Sequence, residues 1–250
     1  MRPLFYISYG MVKSGSTLAF KFAELTLEKS GFSQAKLPEA AIEPHRQVNY
    51  IASSAENPWP AVIKAVEARG TPVAIKLHRG PDEHVAALLK SGRAIGHAVY
   101  RDPREMALSM LDHGRRSRNH GRPGFAKFEE LDQAVAEVDR QLPNLEAWLK
   151  LPRMEPWFYD DFAWDHPAAV ARILKQCRLS GDPAAILADF DPTKGTRFAK
   201  GKPNRWRRHM NVEQAERVRG HFDRMFRRLI ERRRRKPLWT PALWPWERLA

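Results

Sequence analysis

Short apolar segments alternate with longer amphipathic segments along this chain, and the alternation leaves few folds open. Residues 4–8, 72–77 and 94–100 are apolar and β-prone, as expected of strands buried inside a parallel sheet. Helical spacing of apolar residues is found beside these strands at 16–29, 58–69 and 103–112. Because strands separated by helices pair in parallel, the sequence predicts an α/β fold, a three-layer sandwich around a central, mainly parallel sheet.

Local signals place two helix ends and the later elements. Gly31 is predicted to end the first helix, and Asp102, followed by Pro103, to cap the third. The later predictions are a basic loop or lid at 114–124, a helix at 129–149, a strand at 155–159, a helix at 167–178, an irregular basic stretch at 191–208 and a long helix at 211–235. We expect one domain over residues 1–236 and a proline- and tryptophan-rich arm at 237–250.

Composition limits the kinds of binding partner and the cellular compartment that the chain is expected to have. The chain has 250 residues, of which 43% are hydrophobic, and its net charge is +14. Such a strongly basic balance predicts anionic binding partners, and the alternative is that the charge only keeps the protein soluble. Cys177 is the one cysteine, so no internal disulfide is expected. Residues 1–10 lack a signal-peptide pattern, and no apolar run approaches the roughly 18 residues of a membrane span. A cytoplasmic protein without a transmembrane segment is expected.

The loop between the first strand and the first helix is suited to binding phosphate. Its central residues are Lys13, Ser14, Gly15, Ser16 and Thr17. Small residues let an anion approach the backbone N–H groups at the positive end of a helix, and the lysine adds a cation. In the common ATP-binding loop the lysine follows the last glycine, whereas here it precedes Gly15, which weakens a kinase or ATPase assignment. An ordinary turn with a helix cap at Ser14 or Ser16 is the alternative.

Four segments, in order, resemble the sulfotransferases that use 3′-phosphoadenosine 5′-phosphosulfate (PAPS). Residues 12–18 are similar to the family's Pro-Lys-Ser-Gly-Thr-Thr-Trp loop, and 75–78 to its Lys-Thr-His strand end. Residues 100–109 look like its strand–loop–helix, in which an arginine and a serine eight residues later bind the 3′ phosphate. Residues 200–209 resemble its C-terminal Arg-Lys-Gly…Trp-Lys-Asn-His segment. Tyr159 begins a Tyr-Asp-Asp that is similar to the family's Tyr-Glu-Asp, near the adenine.

The resemblance implies a P-loop-like α/β fold and a role for each matching residue. His78 would be the catalytic base, and Lys13 would stabilise the leaving phosphate with help from Lys76, which is two residues before His78 on one strand face. The residues expected to bind the donor are Lys13, Ser14, Gly15, Ser16, Thr17, Leu18, Arg101, Ser109, Tyr159, Lys200, Gly201 and Lys202. PAPS would leave as adenosine 3′,5′-bisphosphate (PAP).

The chain departs from the family pattern at three positions. Val12 replaces the family's proline, Leu18 stands where a tryptophan often stacks on adenine, and Ala199 takes the place of the arginine before Lys-Gly. Phe22 or Tyr159 would then have to supply the adenine contact, and Arg197 or Lys202 the missing charge.

Other functions and partners stay open at this point. The alternatives to a sulfotransferase are a P-loop-like small-molecule kinase, for which Asp160 and Asp161 could bind magnesium, and a basic nucleic-acid-binding module, although no named nucleic-acid motif is present. No metal site is expected from the histidine spacing. The acceptor would be a small molecule, glycan or glycolipid, facing 38–59 and the lid at 114–124. We interpret the basic run at 232–236 as a solvated helix end, with weak anionic-membrane contact as the alternative.

Overall fold

A computed structural model of the chain describes residues 2–44, 48–52, 55–121, 123–191 and 204–231. Predictions for Ala199, Lys200, Gly201 and Lys202, for the basic run at 232–236 and for the arm at 237–250 therefore lie outside the described residues. The division of the chain at residue 236 stays a prediction for the same reason.

The described residues form one five-stranded sheet, and all its strand pairs are parallel. Its strands are β1 (Phe5–Gly10), β2 (Tyr50–Ile51), β3 (Val73–Leu77), β4 (Ala94–Tyr100) and β5 (Met154–Phe158), in the spatial order β2-β3-β1-β4-β5. Tyr9 of β1 is in register with Leu77 of β3 and Ala98 of β4, so these strands end at one edge of the sheet. The α/β fold class is confirmed.

Helices connect and cover the strands. Within the described ranges they are α1 (Ser16–Lys29), α2 (Trp59–Arg69), α3 (Glu83–Ser91), α4 (Pro103–Asn119), α5 (Leu131–Leu149), α6 (Tyr159–Phe162), α7 (His166–Cys177), α8 (Pro183–Leu187), α9 (Trp206–His209), α10 (Val212–His221), α11 (Asp223–Met225) and a π-helical segment, Phe226–Glu231.

Two hydrophobic cores lie on opposite faces of the sheet, because side chains alternate along a strand. Phe5, Ile7 and Tyr9 of β1 belong to the first core, which α2, α3, α4, α5 and α10 complete. Tyr6 of β1 belongs to the second core, which α1 and α7 cover. Helix, sheet and helix thus make the predicted three layers.

The helix ends follow the predicted chemistry where capping decides them. Gly31 has a φ of 89° just after α1, and the N–H groups of Gly31 and Phe32 donate to the carbonyls of Glu28 and Leu27, which is a Schellman ending. Asp102 caps α4 through its Oδ1, which accepts from the N–H of Arg104 at 2.9 Å.

Other boundaries were predicted wrongly. Helix α4 runs on to Asn119, through much of the loop predicted at 114–124, because Gly114 packs closely instead of breaking the helix: a Cβ there would lie 2.3 Å from the Phe128 carbonyl oxygen. The helix predicted at 211–235 is interrupted at buried Phe222, where α10 ends. Tyr159 begins α6 instead of ending a strand. The two-residue β2 and the helix α3 were not predicted.

Candidate active site

The loop between β1 and α1 lies at the carboxyl edge of the sheet and presents backbone N–H groups. Lys13 and Gly15 have φ angles of 70° and 90°, so the chain turns sharply before the helix begins at Ser16. Among the described residues, no acceptor is bonded to the N–H groups of Gly15, Ser16 and Thr17. Such N–H groups at a helix start favour an anion.

Contacts with the Met11 carbonyl and with Tyr159 of α6 fix the conformation of this loop. Gly15 is the N-cap of α1 without a side-chain hydrogen bond, and the Ser14 hydroxyl instead donates to the Met11 carbonyl at 2.6 Å. The alternative of a serine-capped turn is therefore wrong. A Cβ on Gly15 would lie 2.3 Å from the Tyr159 ring, so only glycine fits where the loop meets α6.

The Val12 N–H is held by a residue that the sequence did not point to. Gln141 of α5 is buried and accepts this hydrogen bond through its Oε1, while its Nε2 donates to the Glu137 carbonyl at 3.0 Å. The PAPS-dependent sulfotransferases have a proline at this position, and proline has no N–H. Because this chain has Val12 instead, it has an additional N–H donor that needs an acceptor. Gln141 supplies it.

Lys76 and His78 both contact the ends of the loop. The Lys76 ammonium donates to the Thr17 hydroxyl at 2.6 Å, and Nδ1 of His78 lies 2.5 Å from the Gly10 carbonyl oxygen. Because a carbonyl only accepts, Nδ1 of His78 carries a proton, and in the neutral ring the lone pair is on Nε2. This is the tautomer in which Nε2 can take up a proton.

Lys13 contacts two residues that were missed in the sequence. Its Nζ lies 3.0 Å from Nδ1 of His113 on α4 and 5.4 Å from the centre of the Phe125 ring. His113 is four residues after Ser109, so the spacing of α4 carried a signal that could have found it. Phe125 gave no comparable signal, because its contact depends on how the following loop folds back.

Arg101 is buried just past the end of β4 and is only partly satisfied. One Nη donates to Glu105 at 3.2 Å, and the guanidinium lies 4.0 Å from the centre of the Tyr159 ring. Its Nε is buried without a hydrogen-bond partner among the described residues. An unpaired donor in this position costs free energy unless a ligand meets it, so the residues fit an anion such as a 3′ phosphate.

Glu105, Ser109 and His113 make one row along α4, since residues four apart are neighbours on a helix surface. Arg101, which precedes the helix, contacts Glu105 at the start of this row. Ser109 is half-buried in this row, between Glu105 and His113. The row therefore extends from the Arg101 side to the contact with Lys13.

The part of the C-terminal motif that the structure describes packs against α4. Glu105 accepts from the Trp206 N–H at 3.0 Å, Arg205 pairs with Asp112 at 2.5 Å, and the Arg104 guanidinium lies 3.7 Å from the centre of the Trp206 ring. Trp206 and Arg101 thus share one carboxylate. Glu105 therefore connects the described part of the C-terminal motif at 200–209 with the motif at 100–109. The order of the motifs along the chain gave no sign of this contact.

Two predicted donor residues are largely enclosed by protein. Tyr159 is 5% exposed, and burial raises the pKa of its hydroxyl. Leu18 is 3% exposed and lies within the second core. Donor binding by these and the other predicted site residues stays a prediction.

Metal-binding and membrane-spanning features were searched for in the described ranges. No group of three or more histidine, cysteine, aspartate or glutamate side chains there is arranged to hold a metal ion. None of the helices in those ranges is both long and apolar enough to cross a membrane.

Comparison with known proteins relates the fold to solved structures. No protein-family profile matches the chain, and no curated protein sequence is significantly similar to it. Retinol dehydratase in a complex with retinol and PAP is 16% identical, with a TM-score of 0.58 over 96% of this chain and 84% of that one. Retinol dehydratase with androsterone and inactive cofactor PAP is 14% identical, with a TM-score of 0.59 over 98% and 84%. A mouse sulfotransferase complexed with PAP is 15% identical, with a TM-score of 0.54 over 94% and 88%. The chain has the fold of these PAP-bound proteins.

Proposed function

We propose that the chain is a sulfotransferase that moves the sulfuryl group of PAPS to a hydroxyl or amine of an acceptor. The observation that carries the proposal is the buried Nε of Arg101, which is unpaired among the described residues and lies at the same sheet edge as a loop whose N–H groups have no acceptor there. Two anion-binding features at one edge suit a nucleotide with phosphates at two positions. The fold shared with PAP-bound structures supports the same reading.

The donor supplies an electrophilic sulfur bonded to the 5′ phosphate, and the residues at the loop act on either side of it. We assign Nε2 of His78 as the base that takes the acceptor's proton as the acceptor oxygen or nitrogen bonds to sulfur. The sulfur–oxygen bond to the phosphate breaks, and its electron pair stays on PAP. Lys13, Lys76 and the loop N–H groups stabilise that charge. Arg101 and Ser109 hold the 3′ phosphate, beside Tyr159.

The charge distribution favours this reading over nucleic-acid binding. Several arginines of the C-terminal helices pair with acidic groups of the same chain: Arg217 with Asp132, Arg219 with Glu231, Arg224 with Glu146 and Arg227 with Asp223. These four arginines therefore have acidic partners within the chain, and the net charge of +14, which already counts those carboxylates, is unchanged by the pairing. For the acceptor we propose a small molecule, in line with the retinol and androsterone in the retinol dehydratase structures.

Calorimetric titration with PAP and with ATP tests the proposal. We expect tight binding of PAP and much weaker binding of ATP, because only PAP has the 3′ phosphate. The Arg101→Ala, Ser109→Ala double variant should lose most of the preference. Equal binding of PAP and ATP would favour the kinase alternative, and binding of neither would remove the sulfotransferase proposal.

The assignment of the base has its own test. His78→Ala should lower turnover of PAPS about 10²–10⁴-fold while PAP affinity is retained, since a positioned base contributes roughly that factor. His221→Ala is the matched control, because His221 is an exposed histidine at the end of α10 that pairs with Asp139 at 3.3 Å. Unchanged turnover in His78→Ala would exclude it as the base.

A further inference from the structure

His113 and Phe125, two uncharged groups, contact the Lys13 ammonium. His113 is buried and accepts from Lys13 through Nδ1 at 3.0 Å, which requires that Nδ1 carry no proton. The face of the Phe125 ring lies 5.4 Å from the same ammonium, a cation–π distance. His113 and Phe125 stack on each other, with ring centres 4.3 Å apart and planes 10° from parallel. The three side chains form one cluster.

The loop after α4 is built to keep Phe125 in this cluster. Phe125 has a φ of 66°, a left-handed conformation that is unfavourable for a bulky side chain and has to be imposed by its surroundings. Arg118 donates to the carbonyls of Ala126 at 2.7 Å and Phe128 at 3.1 Å, and the Ser117 hydroxyl donates to the Gly124 carbonyl.

Helix α4 is also shaped to receive this loop. A Cβ on Gly114 would lie 2.3 Å from the Phe128 carbonyl oxygen and 2.9 Å from that of Phe125, so only glycine permits the close approach. Gly114 is next to His113 in the chain, and the loop consequently crosses α4 where His113 is placed.

The chemistry of the partners matters for a lysine beside a leaving phosphate. A carboxylate would orient the ammonium but cancel most of its charge, as in an ion pair. Imidazole and an aromatic face contact the ammonium and add no negative charge of their own. These two contacts therefore orient the ammonium without neutralising it.

We propose that His113, stacked on Phe125, is a positioning residue that directs Lys13 toward the 5′ phosphate of the donor. This inference rests on the proposed function, because it presumes a donor with a 5′ phosphate at the loop. It assigns a role to a histidine and to a loop residue that the sequence did not connect with the site.

A double-mutant cycle on PAP affinity, measured by calorimetry, tests the inference. His113→Phe keeps a flat ring to stack on Phe125 but removes the acceptor for Lys13. We expect it to weaken PAP binding about tenfold, because the charge-assisted contact between Lys13 and the phosphate is weakened but not lost. Lys13→Met should weaken it at least as much, and adding His113→Phe to Lys13→Met should change nothing more, because the two residues act through one ammonium. His113→Asn, whose Oδ1 can replace Nδ1, should recover most of the affinity. His221→Phe, at an exposed histidine on α10, is the control and should bind as the unmodified protein does.

A second measurement does not depend on PAP. In long-range ¹H–¹⁵N spectra of histidine side chains, the signal that His113→Asn removes should be that of a ring protonated at Nε2 and unprotonated at Nδ1, and Lys13→Met should shift its Nδ1. A proton on Nδ1, tighter PAP binding in His113→Phe, or additive losses would each overturn the inference while leaving the proposed function intact. If the unmodified protein binds no PAP, the proposed function fails and the inference fails with it.

Discussion

Strand β4 bears two buried polar clusters that are four residues apart and differ in how well they are satisfied. His97, in the middle of the strand, is fully buried: its Nε2 lies 2.7 Å from the Ser8 hydroxyl and its Nδ1 3.0 Å from the Tyr6 hydroxyl. Tyr6 donates to Oε1 of Gln176 at 2.8 Å. That bond uses Tyr6's one hydrogen, so Nδ1 of His97 must be the donor to Tyr6 and Nε2 the acceptor from Ser8.

Arg101, one residue past the end of the same strand, is arranged differently. It has one bond to Glu105 and a ring contact with Tyr159, yet its Nε is buried without a partner among the described residues. A closed set of hydrogen bonds, as at His97, contributes to the stability of the fold. A buried donor left unpaired lowers stability unless a ligand meets it. The comparison therefore contrasts a structural cluster whose hydrogen bonds are closed with the cluster that we propose binds the donor.

The largest expected effect is a loss of stability at the structural cluster. His97→Leu removes one hydrogen bond from each of the buried Tyr6 and Ser8 hydroxyls, and it should lower the free energy of unfolding by about 3 kcal/mol. Urea unfolding measures this loss. Calorimetry on the folded fraction should give an unchanged PAP affinity, and a parallel loss of PAP binding would break the distinction between the two clusters.

At the binding cluster we expect the opposite pattern. Arg101→Gln removes a charged contact to the 3′ phosphate and should weaken PAP binding about 30-fold, or about 2 kcal/mol, while the free energy of unfolding changes by less than about 1 kcal/mol. Adenosine 5′-phosphate, which has no 3′ phosphate, is the control ligand and should bind equally to both proteins. A stability loss with unaltered PAP binding would place Arg101 with His97 instead.

The hydrogen bond from Val12 to Gln141 belongs with the structural kind, although it holds the donor loop. Gln141→Leu leaves the Val12 N–H, which is partly buried, without its acceptor and should cost about 1.5 kcal/mol in urea unfolding. In a Val12→Pro background, where that N–H does not exist, the same substitution should cost less than about half as much. Equal costs in the two backgrounds would mean that the N–H is not what Gln141 serves.

The last effect, the smallest when it is counted per pH unit, is a dependence of stability on pH. Burial lowers the pKa of His97 from 6.5 to about 3. As the pH falls below 6.5, the unfolded chain takes up a proton that folded His97 refuses, so the free energy of unfolding should fall by up to about 1.4 kcal/mol per pH unit until the pH nears 3. Above 6.5 this contribution is constant. Urea unfolding at pH 7, 5 and 4 should show a shallower fall in His97→Gln, with His120→Gln as the unaffected control.

Local sequence signals predicted the parts of the molecule that local physics controls. The strand–loop–helix from β1 to α1, the Schellman ending at Gly31 and the cap at Asp102 are all where the sequence placed them. Failures came where packing overrides local preference. Gly114 lies inside α4 because the loop needs its missing side chain, and Phe222 interrupts the last helix where it enters the core.

The site divides in the same way. The order of small residues around Lys13 predicted a phosphate-binding loop at a strand end, and the eight-residue step from Arg101 to Ser109, through its resemblance to the family pattern, predicted a second anion-binding position. Only the tertiary structure decided which groups meet them: Gln141 at Val12, His113 and Phe125 at Lys13, and Glu105 between Arg101 and Trp206. The reason is that spacing along a chain fixes which face a side chain is on, whereas its partner is set by distant segments that the packing of the two cores brings together.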